Sequence, residues 1–426
     1  MSLIFSLCCM VMIVADNKIT QRWINVTTAL AIPYAIIVPL NNYVMVKYGF
    51  YRISDDVLGM LLGGIVCVFI GSSIAHFIYS LQKKTGSKTH RLTNSEEKMM
   101  YIKWKPMIRY GWIIITITGI RLLYYTLTRG SSFIGSESFA GRLTSGILGH
   151  FFLTSTPLIP VLFYHWLENR KEKSSIIAAL LLMLLFFMTF VKYHVIGIII
   201  TTYLFVSFEN RKYLKPGAIL LGIVAAAAFV FNYIVSFSLR GVLKNVKTSY
   251  YFQHLWGYVS GSLIYDNYIF DRGLRVGTSI FYKLGTFLSS PINLFLNSLF
   301  GIRLFPHQKQ LHLYIGINRE KGNVVDAIGY LFPSKGTTAE VLLFFLILII
   351  IGCVFTFIYD YSLQKSAIKK KYPVVLMYFL TYFVVLSFFG TFYINSVPYE
   401  ILFWCWIFTF IFDKRVSILF GSKKIL

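Results

Sequence analysis

Charge is what this sequence has least of. Only 14% of its 426 residues are charged, while 56% are aliphatic, aromatic, Met or Cys. Soluble chains carry about 25% charged residues, and so few charges cannot cover so much apolar surface in water. An ordinary soluble domain is therefore excluded. Cysteine is also sparse. Cys8, Cys9, Cys67, Cys353 and Cys405 have neither metal-ligand spacing nor loop positions suited to disulfides, so packing roles are expected of them. No phosphate-cradling glycine loop, nucleophile elbow or zinc-protease motif occurs, and no metal or cofactor is expected. Internal repeats are missing. So are the segments of ~10 residues with alternating polarity that would build an outer-membrane barrel.

What the chain has instead is long uncharged runs. A helix of ~20 apolar residues crosses a ~30 Å hydrocarbon core, and the runs predict an all-α polytopic membrane protein. Eleven spans fit, at 2–15, 24–46, 57–80, 109–128, 145–166, 175–190, 194–208, 215–238, 338–359, 373–389 and 398–412. The opening "MSLIFSLCCMVMIVA" has no basic start and no small-residue cleavage site before Asp16. It is expected to be a first span and not a signal peptide. Two long runs are each split into a hairpin, at "VKYHVIG" and at "GTFYINSVPYE", because both flanks of each are basic.

Basic residues set the orientation. Assigning alternate loops to one side gathers 24 Lys and Arg there and leaves five on the opposite short loops. Cytoplasmic loops are the ones enriched in Lys and Arg, so the N-terminus is expected outside and the C-terminus inside. The net charge of +24 is read as this bias and not as a nucleic-acid footprint. Residues 81–108 are expected to be a basic cytoplasmic linker. Residues 240–337 form one large extracytoplasmic loop in an otherwise single transmembrane domain.

That loop carries eleven cations against four acids, Asp266, Asp271, Glu320 and Asp326, and is crowded with Tyr, Phe, Trp, Gly and Asn. One reading is an interfacial cap, with short amphipathic helices and aromatic belts at headgroup depth. The other is a surface that binds an anionic, sugar-bearing lipid, with arginines on phosphate oxygens and aromatic faces on sugar rings. Both hold together. Arg142, before the fifth span, and Arg240, at the end of the eighth, are expected on the same outer face, where they suit a shared anion site. Arg121 lies inside the fourth span, and an intramembrane charge marks a candidate site. Asp55 and Asp56 follow Ser54 just ahead of an apolar run, which is the pattern of a helix N-cap.

Three segments resemble the O-antigen and capsule repeat-unit polymerases (Wzy-type). They are the outer arginine Arg142, the span-ending arginine of "SLRGVLKNVKTSYYFQHLWGYVSGSL", and the asparagine and glycine-aromatic element of "GNVVDAIGYLFPSKGTTAEVLLFFLILIIIG". Where family members often show an Asp-x-Gly-type turn, this chain has Ser334–Gly336. The resemblance implies a glycosyltransferase of the bacterial plasma membrane. It joins undecaprenyl-pyrophosphate-linked oligosaccharides on the outer face, with undecaprenyl pyrophosphate leaving. It also implies that Arg142 and Arg240 bind the pyrophosphate and that Asp266, Asp271 or His254 accepts the hydroxyl proton. Trp256, Tyr258 and Tyr330 would be sugar platforms, with Arg121, Arg272 and Asn323 completing the substrate contacts. Membrane lipid, a chain-length regulator and a flippase are the implied partners, and nucleic acid is not among them. A ligase moving finished glycan from the same carrier shares these features. A lipid-linked sugar transporter and a lipid-binding assembly protein are the readings of other classes.

Overall fold

The computed structural model describes residues 1–415 apart from 23, 86–99, 103, 131–132, 134–136, 145, 190–191, 221, 224–247, 272–278, 307–311, 318–320, 323, 334–335, 368–369 and 391–394. In chain order the helices are α1 (Ser2–Thr20), α2 (Val26–Pro39), α3 (Asp55–Thr85), α4 (Trp104–Arg129), α5 (Glu137–Thr144), α6 (Gly146–Leu153), α7 (Leu158–Glu168), α8 (Lys173–Met188) and α9 (Lys192–Glu209). They continue with α10 (Thr248–Asp271), α11 (Ile280–Phe300), α12 (Ala327–Leu331), α13 (Thr338–Ala367), α14 (Tyr372–Val385) and α15 (Ser396–Ile411). The strands β1 (Met100–Ile102), β2 (Leu313–Tyr314), β3 (Lys321–Gly322) and β4 (Asp413–Arg415) pair antiparallel as β1–β4 and β2–β3.

Among the described residues, six helical segments are long and apolar enough to cross a membrane, and four shorter apolar helices accompany them. The class is therefore an all-α membrane protein. The span expected at 215–238 lies mostly outside the described residues. The interval expected as a loop is largely helical, because α10 and α11 occupy much of it.

The chain divides into two compact units: residues 1–80, 244–360 and 380–400, and residues 81–243, 361–379 and 401–426. In the first unit, Asn25 caps α2 by accepting from Thr28 N at 2.7 Å. After Pro39 the helix widens into a π turn over Leu40–Val44. Such turns insert an extra residue and re-aim side chains. Here the turn supplies two asparagines that tie several segments together. Asn42 hydrogen-bonds Ser2 Oγ and both backbone groups of Ile53, at 2.8–3.0 Å. Asn41 donates to Tyr51 O at 3.0 Å and accepts from Trp256 Nε1 at 3.2 Å. Gly49 then takes φ +92°, a turn that favours glycine. Its carbonyl accepts from Ile317 N at 2.7 Å, and Tyr51 N donates to Ile315 O at 3.0 Å.

Helix α3 starts with Ser54, whose hydroxyl accepts from Val57 N at 3.4 Å, so the N-cap reading of this stretch holds. Asp55 and Asp56 stay exposed beside it. Further along, α3 meets α13 backbone to backbone at Gly71 and Gly352, where any Cβ would strike the facing chain. Small residues permit this close approach between membrane helices. Asn267 fastens α10 to the same neighbourhood, donating to Arg52 O at 2.7 Å and accepting from Ser54 N at 2.9 Å.

In the second unit, Tyr110 of α4 bonds Thr154 at 2.8 Å and Trp112 Nε1 donates to Ser174 Oγ at 2.9 Å. Trp104 stacks on His165 with centroids 3.8 Å apart. The Asp413 carboxylate caps the start of α14, accepting from Lys371 N at 3.0 Å and Tyr372 N at 3.1 Å. Lys371 also pairs with Glu209.

Candidate active site

Two carboxyl groups meet in the first unit, both closed off from the protein surface. Asp266, on α10, and Asp326, ahead of α12, are both 0% exposed. The local sequence explains the position of Asp326: as N-cap of α12 it accepts from Gly329 N at 2.5 Å. Gly329 lies directly against Asp266. A Cβ at that position would stand 2.5 Å from Asp266 Oδ1, so only glycine fits over the carboxyl. Tyr34 of α2 brings its hydroxyl to Asp326.

Burial raises Asp266 well above the carboxylate range, and the nearby charge of Asp326 raises it further, while Lys283 draws it back in part. Burial likewise pushes Asp326 up, to about 7, against hydrogen bonds from Gly329 and Asp266 that lower it. Two like charges in one buried site do not ionise together readily, so both groups are held above the usual carboxylate range and the pair favours keeping a proton. Lys283, on α11, is 5% exposed. Its ammonium donates to Phe332 O at 2.8 Å and lies 5.9 Å from the Tyr330 ring centre. Burial lowers Lys283 to about 8, opposed by Asp266 and Glu340. A protonated lysine beside a singly protonated pair leaves the group neutral.

Helix α11 explains how a lysine comes to be buried. Its inward side carries Lys283, Thr286, Ser289 and Ser290, all buried, whereas Phe281, Leu288, Ile292 and Phe295 are exposed. Polar inside and apolar outside is the pattern of a helix whose outer face meets lipid. On the other side of α12, Ile328 and Leu331 join Val26, Leu30, Val68 and Leu348 around an apolar cavity.

The expected site residues fall in different places. Asp266 and Tyr330 belong to the acid-pair group. Tyr330 is 5% exposed, so its ring forms part of the wall and presents no open sugar platform. His254 is half-buried and meets Tyr258 edge-on at 5.0 Å. Tyr258 is exposed and lies 5.8 Å from Phe389. Trp256 spends its N–H on Asn41. In the second unit, Arg121 donates to the carbonyls of Arg142 and Leu143, at 3.1 Å for the latter. It thus serves the C-terminal end of α5, where cations are favoured. Arg142 is exposed, with its guanidinium 5.9 Å from the Phe133 ring centre, and Arg129 stands 5.1 Å from the same ring. Arg240, Arg272 and Asn323 lie outside the described residues.

Sequence reasoning counted Asp326 among the acids without giving it a role, and it passed over Lys283, Gly329 and Tyr34. One signal was available: Asp326 stands three residues before Gly329, the spacing of an N-cap. Nothing in sequence links it to Asp266, sixty residues earlier. A second buried acid lies outside this group: Asp360 is 1% exposed within α13, pairs with Arg22, and has His76 Nδ1 at 3.7 Å. Among the described residues no group of three or more His, Cys, Asp or Glu side chains is placed to hold a metal ion. Compared with known proteins, the chain matches no family model, no curated protein and no solved structure.

Proposed function

We propose that this protein polymerises lipid-linked oligosaccharides in the bacterial plasma membrane. In this reading it has eleven spans, N-terminus outside and C-terminus in the cytoplasm, and it works on the outer face. It joins undecaprenyl-pyrophosphate-linked repeat units with release of undecaprenyl pyrophosphate. The observation that carries the reading is the proton-sharing pair Asp266–Asp326 with Lys283, in the interval assigned outside by the distribution of Lys and Arg.

The chemistry asks little else of the protein. The acceptor hydroxyl forms a bond to the anomeric carbon as the bond to pyrophosphate breaks, and the hydroxyl proton passes to a carboxylate. Pyrophosphate is a good leaving group, so positioning and charge stabilisation do most of the work. Asp326 is the proton acceptor in this reading. Its raised affinity for protons matches a base acting near neutral pH. Asp266 and Lys283 hold its charge state. Both carboxyls are fully buried, Asp326 as the cap of α12 and Asp266 against Gly329, so the site must open for substrate to reach them. The apolar cavity beside α12 has the chemistry of a polyprenyl chain. The resemblance to repeat-unit polymerases assigns phosphate contact to Arg142 and Arg240.

The test is a deletion strain complemented with wild type, Asp326→Asn and Asp326→Ala, with glycan length read on gels. Single repeats in the deletion strain and in both variants are expected. Free polymer accumulating on the carrier would identify a ligase instead. A transporter remains the second reading, because Asp16, Asp360 and Arg22 place charge among membrane helices, where ionisable groups mark substrate and ion pathways. Movement of lipid-linked sugar across vesicles without chain lengthening would favour it.

A further inference from the structure

We propose that Asp16, Thr27, Ser72 and Thr356 form a binding site for a monovalent metal cation of sodium's size inside the first unit. All four are buried, at 0%, 0%, 0% and 3% exposure. Asp16 sits near the C-terminal end of α1, four residues before Thr20, and the Thr27 and Ser72 hydroxyls face its carboxyl. Ser72 Oγ is 3.5 Å from Asp16 Oδ1, and Thr356 Oγ1 is 3.0 Å from Ser72 Oγ. The close crossing of α3 and α13 at Gly71 and Gly352 is what brings Ser72 and Thr356 together.

Three observations point to a cation. Asp16 Oδ2 and Thr27 Oγ1 are buried without a well-formed hydrogen bond, and buried polar atoms ordinarily have partners. The C-terminal end of a helix carries partial negative charge from its free carbonyls. A carboxylate there is disfavoured unless positive charge joins it. The surrounding charges also do not cancel. Among the buried groups, ionised Asp16 and Asp360 supply two negatives, while Arg22, paired with Asp360 and also acting on Asp16, supplies one positive; Lys18 nearby on α1 is exposed to solvent. His76 and Tyr79 are the other titratable groups facing this cluster.

Ligand chemistry selects the ion. One free carboxylate with neutral hydroxyls balances a single positive charge, which argues against a divalent ion. All the donors are hard oxygens, which suit an alkali or alkaline-earth ion and not a transition metal. An ion of calcium's radius takes oxygens at ~2.3–2.6 Å, so neighbouring ligand oxygens stand roughly 3.3–3.6 Å apart. Sodium is close to that radius with half the charge.

The site stands apart from the glycosyl-transfer reading, and its test needs no turnover. Full-length protein in detergent or nanodiscs is heated in NaCl, KCl or choline chloride at equal ionic strength, and unfolding is followed by tryptophan fluorescence. Sodium should raise the midpoint by about 2–4 °C over choline, saturably. Radioactive sodium should bind at one ion per chain. Asp16→Asn should abolish both responses, and Ser72→Ala should weaken them. Asp56→Asn, at an exposed position, should leave them intact. Equal midpoints in sodium and choline would overturn the proposal, as would a sodium response kept by Asp16→Asn. A midpoint that follows pH with no preference among cations would assign the cluster to a proton and overturn it as well.

Discussion

Asp266 and Asp360 are almost equally buried, at 0% and 1%, yet their charge is handled in opposite ways. Asp360 meets the guanidinium of Arg22, a permanent cation. Asp266 meets a second carboxyl, each raising the other's hold on a proton, with a buried lysine alongside. A fixed ion pair holds one charge state and costs stability when broken. A proton-sharing pair can change its state without rearrangement, which suits proton transfer. The same unit therefore contains one acid arranged for permanence and one arranged for exchange.

Breaking the permanent pair should have the largest effect. Arg22→Ala leaves Asp360 buried with no arginine. Losing one partner of a buried pair costs ~3–5 kcal/mol, and the partial exposure of Arg22 reduces this to about 2–4 kcal/mol. The measurement is chemical unfolding in detergent, and a loss under about 1 kcal/mol would mean that solvent already screens Asp360. Crowding the exchanging pair comes next. Gly329→Ala puts a methyl against Asp266, and overpacking of this kind costs ~1–3 kcal/mol. Adding Asp266→Ala removes the atoms that clash, so the double variant should regain part of the loss. Strictly additive losses would show that Gly329 and Asp266 do not touch.

The pH response sharpens the contrast further. Burial raises Asp326 from the ordinary 3.8 of an aspartate to about 7 on folding, and Asp266 is raised as well. The folded state then binds more protons than the unfolded state between those limits. Stability from this pair is full below pH ~4 and falls as pH climbs toward ~7, the reverse of an acid held in a salt bridge. Asp266→Asn mimics the protonated form and should flatten that decline in a plot of melting midpoint against pH. An unchanged slope would remove the shared proton from the account. The smallest effect on stability is expected of Arg142→Ala. Exposed side chains of this kind change stability by ~0.5 kcal/mol or less, while glycan length should fall if the arginine binds phosphate.

Much of the architecture was open to inference from periodicity and charge. Apolar length predicts helices α1 to α4 and α13 because the backbone must satisfy its own hydrogen bonds in hydrocarbon. The Ser54 cap was readable because N-caps are local. Residues 240–337, expected as a loop with short amphipathic helices, hold α10 and α11. Helix α10 buries Ser260, Ser262 and Asp266 beside Leu263, Ile264 and Tyr265, and α11 turns its polar side inward, so polarity alone did not mark which residues face inward. Arg121 looked like a charge in want of a carboxylate and instead serves backbone carbonyls, partners that have no sequence signature.

By itself, then, the sequence determined the class of the molecule and the identity of its rare acids. Burial in a membrane makes every intramembrane charge an outlier that composition alone exposes. Only the tertiary structure decided which acids meet. Asp266 with Asp326, and Asp16 with Ser72 and Thr356, are brought together by helix crossings between residues far apart in the chain. Those crossings depend on the absence of a side chain at Gly71, Gly329 and Gly352. The space a missing Cβ opens shows its consequence only when the opposing residue is known.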